Sequence, residues 1–418
     1  MLSALKLADF CTGTWASLTM DDFQEAEEGG CGTAYGRIIC ASCLCVLCII
    51  LMAGLWPLHI PRNNVAWLKN KNGLLIGRFG NAVSAGPLEN NSSGDRAPCS
   101  LELWLSPSGI NENRTILSFY GSAHPGDPFS IQQNKGGLRI QRYNVDERGV
   151  SRNAWFTVDG VFRQNQPVFV TVTLGKRDTL VYVDGILLQE SGISGDSSNN
   201  FTGRIILGDS PTTSYNWSGQ VLGIAIYEQQ LTTIQVAKHW LSWTKTVQPV
   251  FPKDEAPVAL YLFNENGGSV AHNQIDPGTD LIISSRYSVL HPGFLLTPWR
   301  EYKNTWSYWQ DFGINVGGFI PLGICFAAYF SLVRVISRPR AATIALGFGV
   351  SLTIEVLQAL LPTRSSGMTD LITNTLGTAI GVMFYGRSFV QHLLAESQQK
   401  VCSYLSGVRE KRARVVSR

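Results

Sequence analysis

The sequence is poor in charge. Only 16% of its 418 residues are Asp, Glu, Lys or Arg, and the formal net charge is +3. So small an imbalance, with no basic patch interleaved with aromatics, argues against a nucleic-acid partner. Between residues 63 and 300 there is a single cysteine, Cys99, so that stretch has no internal disulfide to rely on. Six histidines are scattered and none lies in the apolar runs of the last third. No Ser-His-Asp or Cys-His set, phosphate-binding glycine loop or dinucleotide fingerprint occurs. These absences exclude the commonest hydrolase, nucleotidase and dehydrogenase chemistries. No internal repeat and no low-complexity tract is present.

What the chain does have is apolar sequence, 44% of the total, bunched at its two ends. The first run covers 38–60 and ends in Trp56, Pro57 and His59. It begins too late for an ordinary signal peptide and has no small-residue cleavage site, so it predicts an uncleaved signal anchor over 36–60. Residues 1–35, acidic through Asp21, Asp22, Glu25, Glu27 and Glu28, precede it as a cytoplasmic segment. Cys40, Cys43, Cys45 and Cys48 form two C-x-x-C spacings inside the run. No His or carboxylate nearby completes a metal shell, so no metal is expected there. Small buried thiols filling an apolar surface account for them.

Three further apolar runs, 312–333, 341–361 and 371–386, are each about long enough to cross a bilayer. Polar side chains interrupt them, and each such group in lipid costs a few kcal/mol unless it faces a bundle interior or a wet cavity. The groups are ordered: D-x-x-x-N-x-x-x-F-x-P-L-G at 311–323, S-L-x-I-E-x-x-Q at 351–358, and R-S-x-x-x-x-D-x-x-x-N-x-x-G-x-x-x-G at 364–381. This pattern resembles the VanZ-like family of membrane proteins, named after a teicoplanin-resistance protein. The resemblance implies a bacterial integral membrane protein and no particular reaction. Asp311, Asn315, Glu355, Gln358, Arg364, Asp370 and Asn374 form the candidate membrane polar site. They could bind an anionic group, act as acid and base, or relay protons, while Asp311 and Asp370 could equally cap helices. Gly377 and Gly381 carry the spacing of close helix packing.

From about 63 to 300 the pattern changes to short alternating runs. Candidate strands are 100–105, 115–120, 129–132, 138–143, 168–174, 180–183, 204–207, 219–227 and 258–263, with a helix over 231–243. Asp184-Gly185 between two β-rich runs specifies a tight primed hairpin turn. The order of Leu101-Glu102-Leu103-Trp104-Leu105, Val181-Tyr182-Val183-Asp184-Gly185, Ile206-Leu207-Gly208-Asp209 and Gly219 to Tyr227 resembles the concanavalin-A-like, laminin-G-like jelly roll, with a core over 99–244. The flanks 63–98 and 250–300 either complete the sandwich or link it to the membrane. Related sandwiches that hydrolyse glycans carry an E-x-D-x-x-E strand. None occurs here, so binding is expected rather than hydrolysis. Asp127, Asp209 and Trp217 are candidates for a ligand or calcium site, and calcium is the sole cofactor considered. Trp155 and Trp217 could stack on sugars or pack in the core.

Arg334, Arg338 and Arg340 between the second and third spans, and the basic tail 387–418, predict cytoplasmic loops. The expected fold class is membrane α plus all-β: four transmembrane helices, with an extracytoplasmic concanavalin-A-like β-sandwich inserted between the first and second. The segments are 1–35, 36–60, 61–300, 301–386 and an amphipathic tail over 387–418. The expected setting is the bacterial cytoplasmic membrane, with both termini cytoplasmic. The partners are membrane lipid and envelope glycan or its lipid-linked precursor, with a glycopeptide-resistance connection implied by the resemblance. The alternatives are an enzyme or transporter acting on a lipid-linked anion, and a passively anchored adhesion module.

Overall fold

A computed structural model describes residues 30–57, 59–89, 98–121, 129–145, 151–175, 178–191, 201–211, 216–246, 249–290, 293–302, 304–333 and 336–387, with parts of 391–407. The acidic N-terminal segment, Arg334, Asp127 and most of the apolar positions expected on the tail helix lie outside these residues. Two compact units result: His59–Gly293 with Leu361–Ser365, and Phe294–Leu360 with Ser366–Arg418 and Met1–Leu58.

The first unit is built from antiparallel strands in two sheets, numbered β1 to β16 along the described chain. One sheet has the order β1 (Val65–Trp67), β2 (Leu74–Ile76), β13 (Gly219–Tyr227), β4 (Cys99–Pro107), β9 (Val168–Leu174), β10 (Thr179–Val183) and β11 (Ile186–Ser191). Strand β14 (Ala259–Tyr261) pairs β13 beyond the end of β2. The other runs β15 (Val270–Ala271), β16 (Leu281–Ile282), β3 (Ala82–Leu88), β12 (Gly203–Leu207), β5 (Asn113–Tyr120), β6 (Phe129–Asn134), β7 (Gly137–Val145) and β8 (Ser151–Val158). Both flanks therefore complete the sandwich. Alternation explains the core: Leu101, Leu103 and Leu105, Val168, Val170 and Val172, and Ile131, Leu138 and Ile140 all face the space between the sheets. Asp184 and Gly185 close the β10–β11 hairpin with φ of 49° and 78°, as the primed turn requires.

Helix α2 (Thr233–Lys245) opens with a capping box: the Thr232 hydroxyl accepts from the Gln235 N–H, and Gln235 Oε1 accepts from the Thr232 N–H at 2.8 Å. It covers the outer face of the first sheet, where Phe169, Tyr182, Ala225, Tyr227, Val236 and Trp243 form a second apolar cluster.

The helical unit contains α1 (Gly30–Leu55), α3 (Pro298–Glu301), α4 (Trp306–Val333), α5 (Pro339–Gln358) and α6 (Met368–Tyr385). Among the described residues three stretches are long and apolar enough to cross a membrane: Ala34–Leu55, Trp306–Leu332 and Pro339–Gln358. The expectation of four spans is thereby corrected to three candidates. The fourth helix, α6, forms as expected, but Asp370, Asn374 and the threonines at 369, 373, 375 and 378 dilute its apolar content. Ile39, Cys43 and Ile50 of α1 share one core with Phe319, Leu322 and Phe326 of α4 and Ile354 of α5. Cys43 is therefore a packing residue.

Candidate functional site

In the helical unit the first turn of α6 gathers the polar groups. Asn315 on α4 donates through Nδ2 to Asp370 Oδ1 at 2.7 Å. Glu355 on α5, only 1% exposed, accepts the Gly367 N–H at 2.8 Å, and Glu301 on α3 accepts the Thr369 N–H at 3.0 Å. Two of the chain's own carboxylates thus sit on the N–H groups at the positive end of α6. The sequence had suggested that this polar set could bind an external anionic group. Glu301 escapes sequence reasoning because it precedes the apolar run; only its closeness to the motif hints at it. One turn along, Asn374 Nδ2 donates to Ser351 Oγ at 3.0 Å, and Asn374 Oδ1 is buried without a hydrogen-bond partner. Gln358 Nε2 donates to the Gly54 carbonyl at 2.7 Å, tying α5 to α1. Asp311, one turn before Asn315, is exposed, and none of these hydrogen bonds includes it. Arg364 falls in Leu361–Ser365, which groups with the β unit.

Gly377 and Gly381 mark where α6 meets α4. A Cβ on Gly377 would fall on the Val316 carbonyl oxygen and 3.1 Å from Phe319 Cβ. One on Gly381 would fall on the Ile320 carbonyl oxygen and 2.9 Å from Gly323 Cα. Backbones approach this closely only where side chains are missing.

In the β unit, two of the ligand candidates are structural. Asp209 is wholly buried: Oδ1 accepts the Ser210 N–H at 2.9 Å, Oδ2 accepts the Tyr287 hydroxyl, and its carbonyl accepts from Ser118 Oγ at 3.0 Å. With both carboxylate oxygens occupied, it ties loop to sheet. Trp217 is 1% exposed, and its indole N–H donates to Gln133 Oε1 at 2.7 Å, so neither ring face is open to a sugar. Among the described residues no group of three or more His, Cys, Asp or Glu side chains has a metal-site arrangement.

A polar surface appears instead on the outer face of the second sheet. The inward residues of β6, β7 and β8 are Phe129 and Ile131, Leu138 and Ile140, and Phe156 and Val158. The period of two puts Ser130, Gln132, Arg139, Gln141, Trp155 and Thr157 on the opposite face. Register makes them two adjacent rows, Ser130–Gln141–Trp155 and Gln132–Arg139–Thr157. Gln132 Nε2 donates to Gln141 Oε1 at 3.0 Å and to Ser130 Oγ at 3.1 Å. Trp155 is 57% exposed, and the Arg139 guanidinium carbon lies 4.8 Å from its ring centre. The sequence offered both Trp155 and Trp217 for stacking but named only Trp217 as a ligand candidate; the sheet exposes Trp155 and buries Trp217. The glutamines and Arg139 went unnoticed although 129–132 and 138–143 read as strands, because Trp155, which marks the face, lies on β8, which does not.

A third polar group is hidden under α2. Glu102 on β4 is fully buried: Oε1 meets His239 Nδ1 at 2.9 Å, while Oε2 accepts from the Tyr227 hydroxyl at 2.7 Å and from Trp243 Nε1 at 3.1 Å. The other ring nitrogen, His239 Nε2, meets Glu255 Oε2 at 3.1 Å. Burial pushes the His239 pKa down, but bonding and charge from Glu102, then Glu255, outweigh it and the pKa is raised. Burial alone would raise Glu255, yet the hydrogen bonds from Gln235 and His239 leave it lowered. Burial, then Glu102, holds the Tyr227 hydroxyl protonated far above its ordinary range.

Residues 80–237 match the family model described as the Concanavalin A-like lectin/glucanases superfamily, and residues 266–390 match that of VanZ/LLP1. No curated protein matches the chain. Similar solved structures include the botulinum neurotoxin serotype D binding domain, at 15% identity and TM-score 0.33, covering 44% of this chain and 45% of that one. Another is the Ruminococcus gnavus IT-sialidase CBM40 bound to α2,3-sialyllactose, at 16% identity and TM-score 0.31, covering 40% and 95%. The chain spans less than half the length of that toxin structure. The chain thus joins a segment similar to the concanavalin-A-like lectins and glucanases, residues 80–237, to one similar to VanZ/LLP1, residues 266–390, and carries, among the described residues, three helices long and apolar enough to cross a membrane.

Proposed function

We propose that this is a multi-pass protein of the bacterial cytoplasmic membrane that presents its β-domain outside the cell to bind envelope glycan or a lipid-linked precursor. The observation that carries it is the exposed Trp155 beside the half-buried Gln132 and Gln141. A flat apolar ring flanked by amide groups suits a sugar, which has an apolar face and a polar rim. The orientation rests on Arg338 and Arg340 at the start of α5 and on the basic tail as cytoplasmic anchors. The exposed Trp299, Trp306 and Trp309, around the start of α4, suit the opposite interface. The test is a glycan array probed with the full chain in lipid nanodiscs. Wild-type protein binds a subset of glycans, and Trp155→Ala weakens binding at least about tenfold. No binding by wild type, with or without calcium, or unchanged binding by Trp155→Ala, sinks the proposal.

A second reading gives the helical unit an activity of its own on a lipid-linked anion or on protons, tied to glycopeptide tolerance. It is favoured by the meeting of Glu301, Glu355 and Asp370 at one helix end. Asp370→Asn keeps the shape and removes the charge. At matched membrane abundance it lowers tolerance to envelope-targeting antibiotics. An unchanged phenotype leaves the helices as an anchor.

A further inference from the structure

The outer face of the second sheet carries a charge that the β unit leaves unanswered. Arg139 is half-buried at the centre of a strand row, opposite Gln132 on one side and Thr157 on the other. Among the described residues no carboxylate pairs with it; its one defined contact is the Trp155 ring at 4.8 Å. Its Nε is shielded from water and has no hydrogen-bond partner, and the Thr157 hydroxyl opposite is in the same condition. Natural structures seldom leave buried donors unmatched, because water has been given up and nothing has replaced it. Here two of them face each other across adjacent strands beside an exposed indole. The other described groups on the rows, Ser130, Gln132 and Gln141, are neutral and bonded to one another.

We infer that this face takes a glycan bearing a carboxylate, with the acid on the open edge of the Arg139 guanidinium and the sugar ring on Trp155. The inference rests on the glycan-binding proposal and narrows its ligand class. A guanidinium presents a planar fork of N–H donors that matches a carboxylate's two oxygens. Stacking on an indole holds that fork flat and in place while its edge stays available.

The test uses the full chain in nanodiscs on an array of carboxylated glycans, the same glycans as methyl esters, and phosphorylated glycans. The wild type prefers the free acid over its ester by about tenfold or more, the effect of one charge-assisted contact. Arg139→Gln brings the ratio of acid to ester affinity to about 1, and Arg139→Lys, which keeps charge without the fork, gives an intermediate ratio. Arg139→Lys also serves should Arg139→Gln fail to fold. Equal binding of acid and ester by the wild type, or a preference that survives both substitutions, overturns the inference and leaves glycan binding standing. Phosphorylated glycans outranking carboxylated ones overturns the carboxylate assignment. Binding to none of the three overturns this inference, and the glycan proposal falls with it only where the general glycan array is blank as well.

Discussion

Leucine at Gly381 is expected to leave almost no folded protein in the membrane. The obstruction is backbone: even the first carbon of a side chain would meet the Ile320 carbonyl oxygen, with Gly323 Cα 2.9 Å away. A flexible neighbour could swing aside, but two helix backbones cannot. Overpacking a core costs about 1–3 kcal/mol where side chains can adjust, and here the helices themselves must part. Parting them breaks the contacts on which the Asn315–Asp370 hydrogen bond depends. Gly317→Ala is the control. It lies on the partner helix α4 with nothing within 4 Å of the added carbon, and alanine favours a helix over glycine by about 1 kcal/mol. Detergent-solubilised yield and the thermal midpoint should collapse for Gly381→Leu and hold or rise for Gly317→Ala. Equal yields for the two would show that α4 and α6 do not pack through these glycines.

That glycine pair was legible in the sequence because a four-residue spacing inside an apolar run has few structural uses. The strands were legible for a similar reason: alternating Leu, Val and Ile, as in 101–105 and 168–174, repeat with the period of a pleated strand. Strand β8 escaped. Ser151-Arg152-Asn153-Ala154-Trp155-Phe156-Thr157-Val158 reads as mixed and polar, and its pattern emerges only when Phe156 and Val158 are seen in the core. The site on its outer face escaped with it. Asp209 and Trp217 show the converse error. An Asp in a loop and a Trp near Asn and Ser look like ligand groups, and no local signal reveals that Tyr287, 78 residues away, or Gln133, 84 away, already satisfies them. The polar residues in the helices were visible singly, because each is costly in an apolar run. Which partners they would take was not, since Asn315 and Asp370 are 55 residues apart. The fourth span was over-read for a related reason: the polar groups that marked the motif also lowered the apolar content of α6.

Glu102 was the least legible residue, and removing it is expected to have the second large effect. In Leu101-Glu102-Leu103 an acid between inward leucines reads as facing solvent. Only the arrival of α2 from residue 233 onward covers it. Glu102→Ala leaves His239 Nδ1, the Tyr227 hydroxyl and Trp243 Nε1 without their shared acceptor in a buried layer. Breaking a buried pair from one side costs about 3–5 kcal/mol, and each kcal/mol lowers the midpoint of a domain this size by about 2–4 °C. A fall of roughly 6–20 °C in the β-domain transition, followed by tryptophan fluorescence, is therefore expected; a change under about 2 °C would refute the buried network. The same network sets a pH window. Both ring nitrogens of His239 face carboxylates, so both contacts need the imidazolium. Because the folded pKa lies above the ordinary 6.5, this contribution is complete below 6.5 and is lost as pH rises through the folded value. Glu255 lies below its ordinary 4.5, so its contribution is complete above 4.5 and is lost as pH falls through the folded value. The β-domain of the wild type should therefore be most stable between about pH 4.5 and 6.5, with Lys238 and Tyr227 the other titratable groups facing the network. In His239→Leu the alkaline loss of stability should disappear. Its persistence there would mean that another group titrates.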